Sequence, residues 1–259
     1  MLEEICKEEN ISYKYISDKY ITILKKNNKI KYIYNDLYGL NSETSNLLCN
    51  DKYAMYEILK EYNIPVIKYN LIWHPGISKT TNNINKTIKY IKDFFIKYNN
   101  HIVLKPNFGN NGNLVFNINN INDIENIFIN LLNKTDSIVI NPFYNIKNEY
   151  RVIVLNGKVR LIYKKVLNNN WQFNLSKGSI ASKEIDNKLK NKIIDIALKV
   201  NKFLKTKFVS IDIIDSNNNL YVLEVNGKVC TTKYLKQHME DYDLVKNIYK
   251  DAIDELFRG

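Results

Sequence analysis

The stretch FVSIDIIDSNNNLYVLEVN, residues 208–226, reads as two apolar strands joined by a polar turn at 216–219. Residues two apart on a strand share a face, so Glu224 and Asn226 project together, and Asp212 lies on the neighbouring strand. Three oxygen donors suit Mg²⁺, which takes oxygen ligands and usually shares its shell with substrate phosphates. The alternative is an exposed hairpin that carries ordinary surface acids.

The composition places the chain among globular proteins. It has 259 residues, 45% of them apolar and 12% aromatic, which predicts one or two domains and excludes a disordered chain. No apolar run approaches the ~18 residues that span a bilayer, and the start MLEEICKEEN lacks the basic region of a signal peptide. Cys6, Cys49 and Cys230 show no paired spacing. We therefore expect a cytoplasmic protein with no membrane partner, disulfide framework or zinc ribbon.

The net charge of +11 raises the question of a nucleic-acid partner. The lysines are dispersed among asparagine, isoleucine and tyrosine, without a basic tail or a run of stacking aromatics. This pattern disfavours nucleic-acid binding as the main function. A nucleotide or another small anion would equally account for a basic cleft.

The first half of the chain changes pattern near residue 50. Residues 1–49 predict a short β-rich preamble, too small for a nucleotide-binding βαβ domain, with a short helix at its end. A helix capped by Asn50 or Asp51 then stops before Pro65, because proline disfavours α geometry in the residue before it. Apolar patterning predicts strands at 11–16, 20–24, 30–34 and 66–73, and a helix at 88–98.

Residues 101–118, HIVLKPNFGNNGNLVFNI, predict a strand, a glycine-bearing turn and a second strand. Lys105 ends the first strand, and Gly109 and Gly112 allow a tight reversal in which backbone N–H groups can approach an anion. No GK[ST] follows, so the stretch is not a P-loop. A plain hairpin with a polar tip is the alternative.

The sequence of the second half of the chain predicts alternating helices and hairpins. Asn156-Gly157 is a strong hairpin signal, and the flanking strands carry Glu149, Arg151, Lys164 and Lys165. Residues 170–181 are irregular and polar. The remaining predicted elements are helices at 121–133, 193–200 and 241–257 and a strand at 137–143.

Six of these stretches occur in an order that resembles the ATP-grasp carboxylate–amine ligases, particularly the branch with cyanophycin synthetases, bifunctional glutathione synthetases and ribosomal-protein glutamate ligases. The resemblance covers residues 41–240 and departs from the family pattern at Asn63 and Ser179, which replace glycines. The stretches are NDKYAMYEILKEYNIPV, VLKPNFGNNG, INPFYNIKNEYRVIVLNGKV, NWQFNLSKGSIA, IDII and LEVN.

The resemblance implies an α+β fold in which two lobes grip ATP between antiparallel sheets. We expect the preamble at 1–49 to be a truncated N-terminal unit, followed by an N-lobe at 50–140 and a C-lobe at 141–259. A homo-oligomer is compatible with this organisation.

The resemblance also implies roles for individual residues. The nucleotide would be held by Lys52 and Lys105 at its phosphates, by the 107–113 loop with Gly109 and Gly112, by the backbone from Asn141 to Phe143 at the adenine, and by Glu149 at the ribose. Arg151 would face the transferred phosphoryl group, and the oxyanion of the second step would form near Arg151 or Asn174. Asp212, Glu224 and Asn226 would hold one or two Mg²⁺ ions, with Mn²⁺ as a substitute.

The implied function is an ATP-dependent ligase that activates a carboxylate as an acyl phosphate and joins it to an amine, with an amino acid or a peptide as substrate. An inactive ATP-binding protein on the same fold is the alternative. The acceptor pocket is the least defined part, because residues 227–232 replace the usual turn after the last metal residue. Lys228 could meet a substrate carboxylate or be an ordinary solvated lysine, and a lone Cys230 without a histidine is typical of a structural cysteine.

Overall fold

The computed structural model of the chain describes residues 1–74, 76–77, 83–109, 112–167, 171 and 173–258. Its strands form three antiparallel sheets of three, five and four strands. Within these ranges no helix has the length and apolar content that crossing a membrane requires.

The N-terminal unit is a three-stranded meander preceded by a helix. It consists of α1 (Leu2–Glu8), β1 (Ser12–Ile16), β2 (Ile21–Lys26) and β3 (Lys29–Tyr34). The predicted strands are confirmed, with Asn27 and Asn28 in the left-handed conformation at the tight turn. Helix α1 was not identified from the sequence. This short helix depends on tertiary contact, because Ile5 packs into the core and Glu8 pairs with Lys246 of α8 (Tyr242–Arg258) at 2.5 Å.

Two capped helices follow, α2 (Glu43–Asn50) and α3 (Lys52–Glu61). Ser42 accepts a hydrogen bond from the backbone of the first turn of α2, and Asp51 does the same for α3, as predicted. Asn63 then adopts φ +53°, a left-handed conformation that asparagine tolerates and that glycine favours.

The segment after Pro65 crosses from one sheet to another. Ile67 N–H donates to the carbonyl of Val222, and Val222 N–H donates to the carbonyl of Pro65, so the first half of the segment joins the five-stranded sheet. Only its second half, β4 (Asn70–Trp73), belongs to the four-stranded sheet. The predicted single strand over 66–73 was wrong because the segment divides its hydrogen bonds between two sheets.

The four-stranded sheet has the order β4-β7-β5-β6. Its other strands are β5 (Ile102–Pro106), β6 (Phe116–Ile118) and β7 (Ser137–Pro142). Helices α4 (Ile84–Lys97) and α5 (Ile124–Leu132) cover one face and bury Phe94, Phe95 and Phe128 against it. The opposite face is left for the cavity described below.

The five-stranded sheet has the order β10-β9-β8-β11-β12. Its strands are β8 (Ile146–Leu155), β9 (Lys158–Val166), β10 (Ile180–Ser182), β11 (Phe208–Ser216) and β12 (Asn219–Asn226). Helix α6 (Asn187–Phe203) packs Ile193, Ala197 and Val200 into the core beneath it, and a short helix α7 (Thr232–Leu235) precedes α8. Every residue of β11 is buried, so the hairpin at 208–226 is not an exposed one. The domain division at residues 50 and 141 stays a prediction.

Candidate functional site

One face of the five-stranded sheet carries a row of charged side chains. The register places Arg151 of β8 opposite Asp212 of β11, and Asp212 opposite Glu224 of β12. Two residues further along β12, Asn226 lies opposite Ser210. Directly opposed side chains have Cβ atoms about 4.5–5.5 Å apart, so the two carboxylates are neighbours.

Asp212 is held in a buried ion-pair network. Arg151 donates to both of its carboxylate oxygens, with Nε–Oδ1 at 2.8 Å and Nη2–Oδ2 at 2.6 Å. Lys165 of β9 approaches the same carboxylate at 3.0 Å. Burial alone would raise the pKa of Asp212, but the charges of Arg151 and Lys165 prevail and lower it to about 2. The two cations therefore favour the ionised form of Asp212.

Lys165 also donates to Glu149, its cross-strand neighbour. Both side chains are buried, and burial raises the pKa of Glu149 to about 7 while Lys165 opposes that shift. The sequence analysis noted Lys165 as a charged member of the hairpin but gave it no function. Glu149 was predicted to accept from ribose hydroxyls; it lines the cavity, but one of its oxygens is already taken by Lys165.

Lys105 of β5, in the four-stranded sheet, lines the same cavity as the charged row of the five-stranded sheet. Its ammonium donates to the hydroxyl of Tyr69 at 2.8 Å, and that hydroxyl donates to the carbonyl of Leu223 at 3.1 Å. Burial and the nearby Lys52 lower the pKa of Lys105 to about 7. Lys105 forms no ion pair with a described residue, although the charges of Glu224 and Glu149 partly oppose the fall in its pKa. An anion bound beside this buried ammonium would stabilise its charged form.

Lys52 contacts the glycine loop. It begins α3, is buried, and donates to the carbonyls of Asn107 at 3.2 Å and Gly109 at 2.7 Å. Gly109 has φ +145°, which favours glycine. Lys177 donates to the carbonyl of Gly112 from the other side of the cleft at 3.0 Å. The predicted loop at 107–113 is thus tied at both ends, and its residues 110–111 lie outside the described ranges.

A cavity of about 1010 Å³ separates the two sheets. That volume is at the upper end for small-molecule sites and leaves room for a nucleotide and a further substrate. Lys105, Gly112, Asn141, Phe143, Glu149, Arg151, Lys165, Asn174, Asp212, Glu224 and Asn226 line it. Of the predicted site residues, Lys52 and Gly109 are not among the described residues that line the cavity. Lys52 instead donates hydrogen bonds to the glycine loop.

Two aromatic side chains, Phe143 and Trp171, line this cavity. The ring of Phe143 stacks on His101 at a centroid distance of 3.8 Å and an angle of 7°, and Trp171 lies 6.5 Å away. The N–H of Phe143 already donates to the carbonyl of His101, so this donor, which we expected to serve the adenine, is taken. Asn141 offers its Oδ1 instead, a buried atom with no hydrogen-bond partner among the described residues.

Asn174 lines the cavity and caps a 3₁₀ turn. Its Oδ1 accepts from the backbone and the hydroxyl of Ser176, at 2.9 and 2.7 Å. The turn ends at Gly178, with φ +98°. Residues 170 and 172 of the predicted irregular stretch lie outside the described ranges, and the catalytic role of Asn174 stays a prediction.

The donor set at β11 and β12 fits a divalent cation. Glu224 and Asn226 are half-buried, line the cavity, and make no side-chain hydrogen bond or ion pair with another described residue. Asp212, directly across from Glu224, is kept ionised by its network. Two carboxylates and an amide oxygen are the ligand types of Mg²⁺. The role of these three residues as metal ligands stays a prediction.

Two known proteins are similar to this chain in sequence. An uncharacterized Mycoplasma genitalium protein, MG011, is 26% identical over 239 residues, or 91% of this chain and 72% of that one. The alpha-aminoadipate–LysW ligase LysX of Saccharolobus solfataricus is 26% identical over 194 residues, or 73% of this chain and 65% of that protein. The chain thus spans about two thirds of the length of LysX.

The structure of D-alanine–D-alanine ligase from Bacillus anthracis matches with a TM-score of 0.65 at 18% identity, over 84% of this chain and 69% of that one. This likeness confirms the expected α+β fold with antiparallel sheets. The sequence model of the RimK-like ATP-grasp domain matches residues 49–249, which is most of the chain. The chain therefore belongs to the RimK-like ATP-grasp family.

Proposed function

We propose that this protein is an ATP-dependent ligase that activates a substrate carboxylate and joins it to an amine. The observation that carries this proposal is the row of Arg151, Asp212 and Glu224 across three adjacent strands, facing Lys105 over one cavity. Such an arrangement suits the transfer of a charged phosphoryl group, which requires positioning and charge neutralisation rather than a side-chain nucleophile.

The nucleotide occupies the cavity between the two sheets in this proposal. Its base stacks near Phe143, with the unpaired Oδ1 of Asn141 as acceptor for an amino group. Its phosphates neutralise Lys105, whose pKa rises towards its ordinary value once an anion lies beside it. Lys52 keeps the glycine loop in place over them through the carbonyls of Asn107 and Gly109.

Arg151 and Lys165 are positioned to stabilise the charge that moves during activation. A carboxylate is a poor electrophile, and it becomes reactive when its oxygen attacks the terminal phosphoryl group of ATP and releases ADP. Bound Mg²⁺, held by Asp212, Glu224 and Asn226, supplies charge neutralisation at the phosphates. ATP-grasp ligases use ATP and a divalent metal; one or two Mg²⁺ ions, or Mn²⁺ in their place, are proposed here.

The second step forms the amide bond. The amine attacks the acyl carbon, the C–O bond to phosphate breaks, and the proton that the amine loses leaves with the phosphate. Arg151 and the Asn174 region are placed along the cavity to stabilise the oxyanion of this step. A cytoplasmic location and a homo-oligomeric state remain predictions.

The test is ADP release with ATP, Mg²⁺ and pools of amino acids and peptides, for the wild type and Glu224→Gln. We expect Glu224→Gln to fold normally and to lose about 100-fold or more in turnover. Even the mutation of residues that only hydrogen-bond to metal ligands typically lowers metal affinity or activity by about 10–100-fold. Glu125→Gln, the same change on the exposed surface of α5, is the matched control. Unchanged turnover in Glu224→Gln would refute the metal assignment, and ATP binding without ADP release from any pool would favour the inactive ATP-binding alternative.

A further inference from the structure

The two faces of the three-stranded N-terminal sheet have different surroundings. On one face, Leu24 and Ile33 are buried in the cluster that also contains Ile5 of α1 and Ile253 of α8. Because side chains alternate along a strand, the residues next to Leu24 and Ile33 in the chain project from the opposite face. We call this opposite face the outer face. It precedes residue 49 and so lies outside the part that the family model covers.

The outer face consists of three rows of side chains, each of which crosses all three strands. The register gives the rows Ser12–Lys25–Ile30, Lys14–Ile23–Tyr32 and Ile16–Ile21–Tyr34. Tyr32 is 60% exposed and Ile30 is 50% exposed. The four isoleucines and two tyrosines of these rows take no part in the hydrophobic clusters that the described residues form. A solvated sheet face is normally polar, so this composition is typical of a contact surface.

The outer face is basic as well as apolar. Strands β1, β2 and β3 contain five lysines and no acid. Lys14 and Lys25 are exposed on the outer face and form no ion pair with a described residue, whereas Lys26 projects from the other face and pairs with Glu9 at 3.4 Å. The first two rows therefore carry positive charge that a bound partner could neutralise.

These two properties together discriminate among the partners that could cover the outer face. A second copy of the chain would bring two sets of Lys14 and Lys25 into one symmetric interface, where like charges are costly. A single-stranded nucleic acid stacks its bases on aromatic rings, but most of the apolar side chains here are isoleucines, and Tyr34 already meets Tyr20 edge-on. A polypeptide that carries both aliphatic side chains and carboxylates matches the isoleucines and the lysines at once.

We propose that the outer face is a docking surface for an acidic polypeptide segment that also carries apolar side chains. The apolar side chains of the segment pack on Ile23 and Tyr32, and its carboxylates pair with Lys14 and Lys25. The third row lies beside the cavity, because Lys228, which lines the cavity, has its ammonium 5.5 Å from the ring centroid of Tyr34. Docking on the outer face is separate from the proposed ligase reaction and requires neither ATP nor turnover.

The inference is tested by selecting random phage-displayed peptides for binding to the full chain, with AMPPNP and Mg²⁺ present to fill the cavity. We expect the selected peptides to carry a net negative charge together with apolar side chains. The most enriched peptides are then synthesised with a fluorescent label, and anisotropy compares the wild type with Tyr32→Ser and Lys14→Glu. Both residues are exposed, so we expect the variants to fold and to bind each peptide about tenfold more weakly.

Each variant has a matched control in the N-terminal unit. Tyr13→Ser removes a tyrosine that is 41% exposed on the opposite face of the same sheet, and Lys7→Glu makes the same charge reversal on the exposed surface of α1. Both controls should bind the peptides as the wild type does. A probe in which every acid is replaced by its amide should bind the wild type about tenfold more weakly and be insensitive to Lys14→Glu, because it has no carboxylate to pair with Lys14.

Several outcomes would overturn the proposal. These are the absence of any enriched peptide, selected peptides without acids, and peptides that bind Tyr32→Ser and Lys14→Glu as tightly as the wild type. Binding of oligouridylate or of vesicles that contain phosphatidylserine, if both variants abolished it, would assign the outer face to a nucleic acid or a membrane instead. A dimer in sedimentation equilibrium that both variants dissociate would assign it to a second copy of the chain.

Discussion

The two sheets that border the cavity differ in how their buried charges are paired. In the five-stranded sheet, Arg151 and Lys165 are compensated by Asp212 and Glu149 within hydrogen-bond distance. In the four-stranded sheet, the ammonium of Lys105 donates to the hydroxyl of Tyr69 and forms no ion pair with an acid in the described part of the chain. The charges of the network in the five-stranded sheet are thus paired without a ligand, whereas the ammonium of Lys105 forms no ion pair with a described residue.

This difference suggests different functions for the charged residues of the two sheets. A compensated network holds its side chains in one geometry, which suits residues that must orient a metal and a reacting group. An uncompensated lysine is costly in the free protein but gains most when an anion arrives, which suits phosphate binding. We therefore expect substitution of Asp212 in the five-stranded sheet to destabilise the protein and substitution of Lys105 in the four-stranded sheet to stabilise it.

Asp212→Asn should have the largest effect, because it leaves Arg151 without a charged partner in a buried site. We expect a loss of about 3–5 kcal/mol in the free energy of unfolding, together with loss of turnover. The measurement is urea denaturation. Asp251→Asn is the control, since Asp251 pairs with Arg160 at the surface and is 51% exposed, and its loss should stay below about 1 kcal/mol. Equal losses in the two variants would show that the buried network is not compensated as the geometry indicates.

Lys105→Met should abolish ATP-dependent turnover and yet stabilise the nucleotide-free protein. The pKa of Lys105 is about 7 in the folded chain, whereas the ordinary pKa of a lysine is 10.5, so the folded state binds fewer protons between these two pH values. The lowered pKa of Lys105 reduces the free energy of unfolding. This reduction is complete below pH 7 and disappears as the pH rises towards 10.5. Each unit of difference in pKa corresponds to about 1.4 kcal/mol. The gain in stability should accordingly be larger at pH 6 than at pH 9.

Thermal unfolding at these two pH values measures the effect of Lys105→Met. Lys68→Met is the matched control, since Lys68 also donates to a tyrosine hydroxyl, that of Tyr98 at 2.9 Å, but does not line the cavity. It should give no gain at either pH. A destabilised Lys105→Met at pH 6 would contradict the picture of an uncompensated cation.

The sequence predicted most of the elements and the members of the charged row, but not the pairing that brings the row together. Counting outward from the Asn156-Gly157 turn without an irregularity would place Glu149 opposite Lys164. A bulge at Ile153 and Val154 shifts the register by one residue and brings Lys165 there instead. Since a shift of one residue exchanges the two faces of a strand, the role of Lys165 could not be read from spacing.

The hairpin at 208–226 shows the same effect. Its inner pairs, such as Ile213 with Val222, would continue to Asp212 with Leu223, but a bulge between Asp212 and Ile213 brings Glu224 opposite Asp212. Bulges of this kind are common beside active sites because they redirect a side chain. Glu224 was identified from residue type and family resemblance, and only the structure shows how it reaches Asp212.

Tyr69→Phe should have the smallest effect of the three and tests how the two sheets are connected. Its hydroxyl links Lys105 of one sheet to the carbonyl of Leu223 in the other, from within the segment that crosses between them. Removing it leaves a buried carbonyl and a buried ammonium each short of a partner, at a cost of about 1–2 kcal/mol. ATP still supplies an anion to Lys105, so we expect the KM for ATP to rise only about fivefold, with kcat less affected.

Steady-state kinetics and urea denaturation measure the two effects of Tyr69→Phe together. Tyr98→Phe, which removes the hydroxyl that Lys68 contacts outside the cavity, is the control and should leave the KM for ATP unchanged. If Tyr69→Phe lowered kcat as strongly as Lys105→Met, the hydroxyl would have to take part in the reaction itself. The present geometry argues against that, because the hydroxyl is buried and both of its hydrogen bonds are made to protein groups.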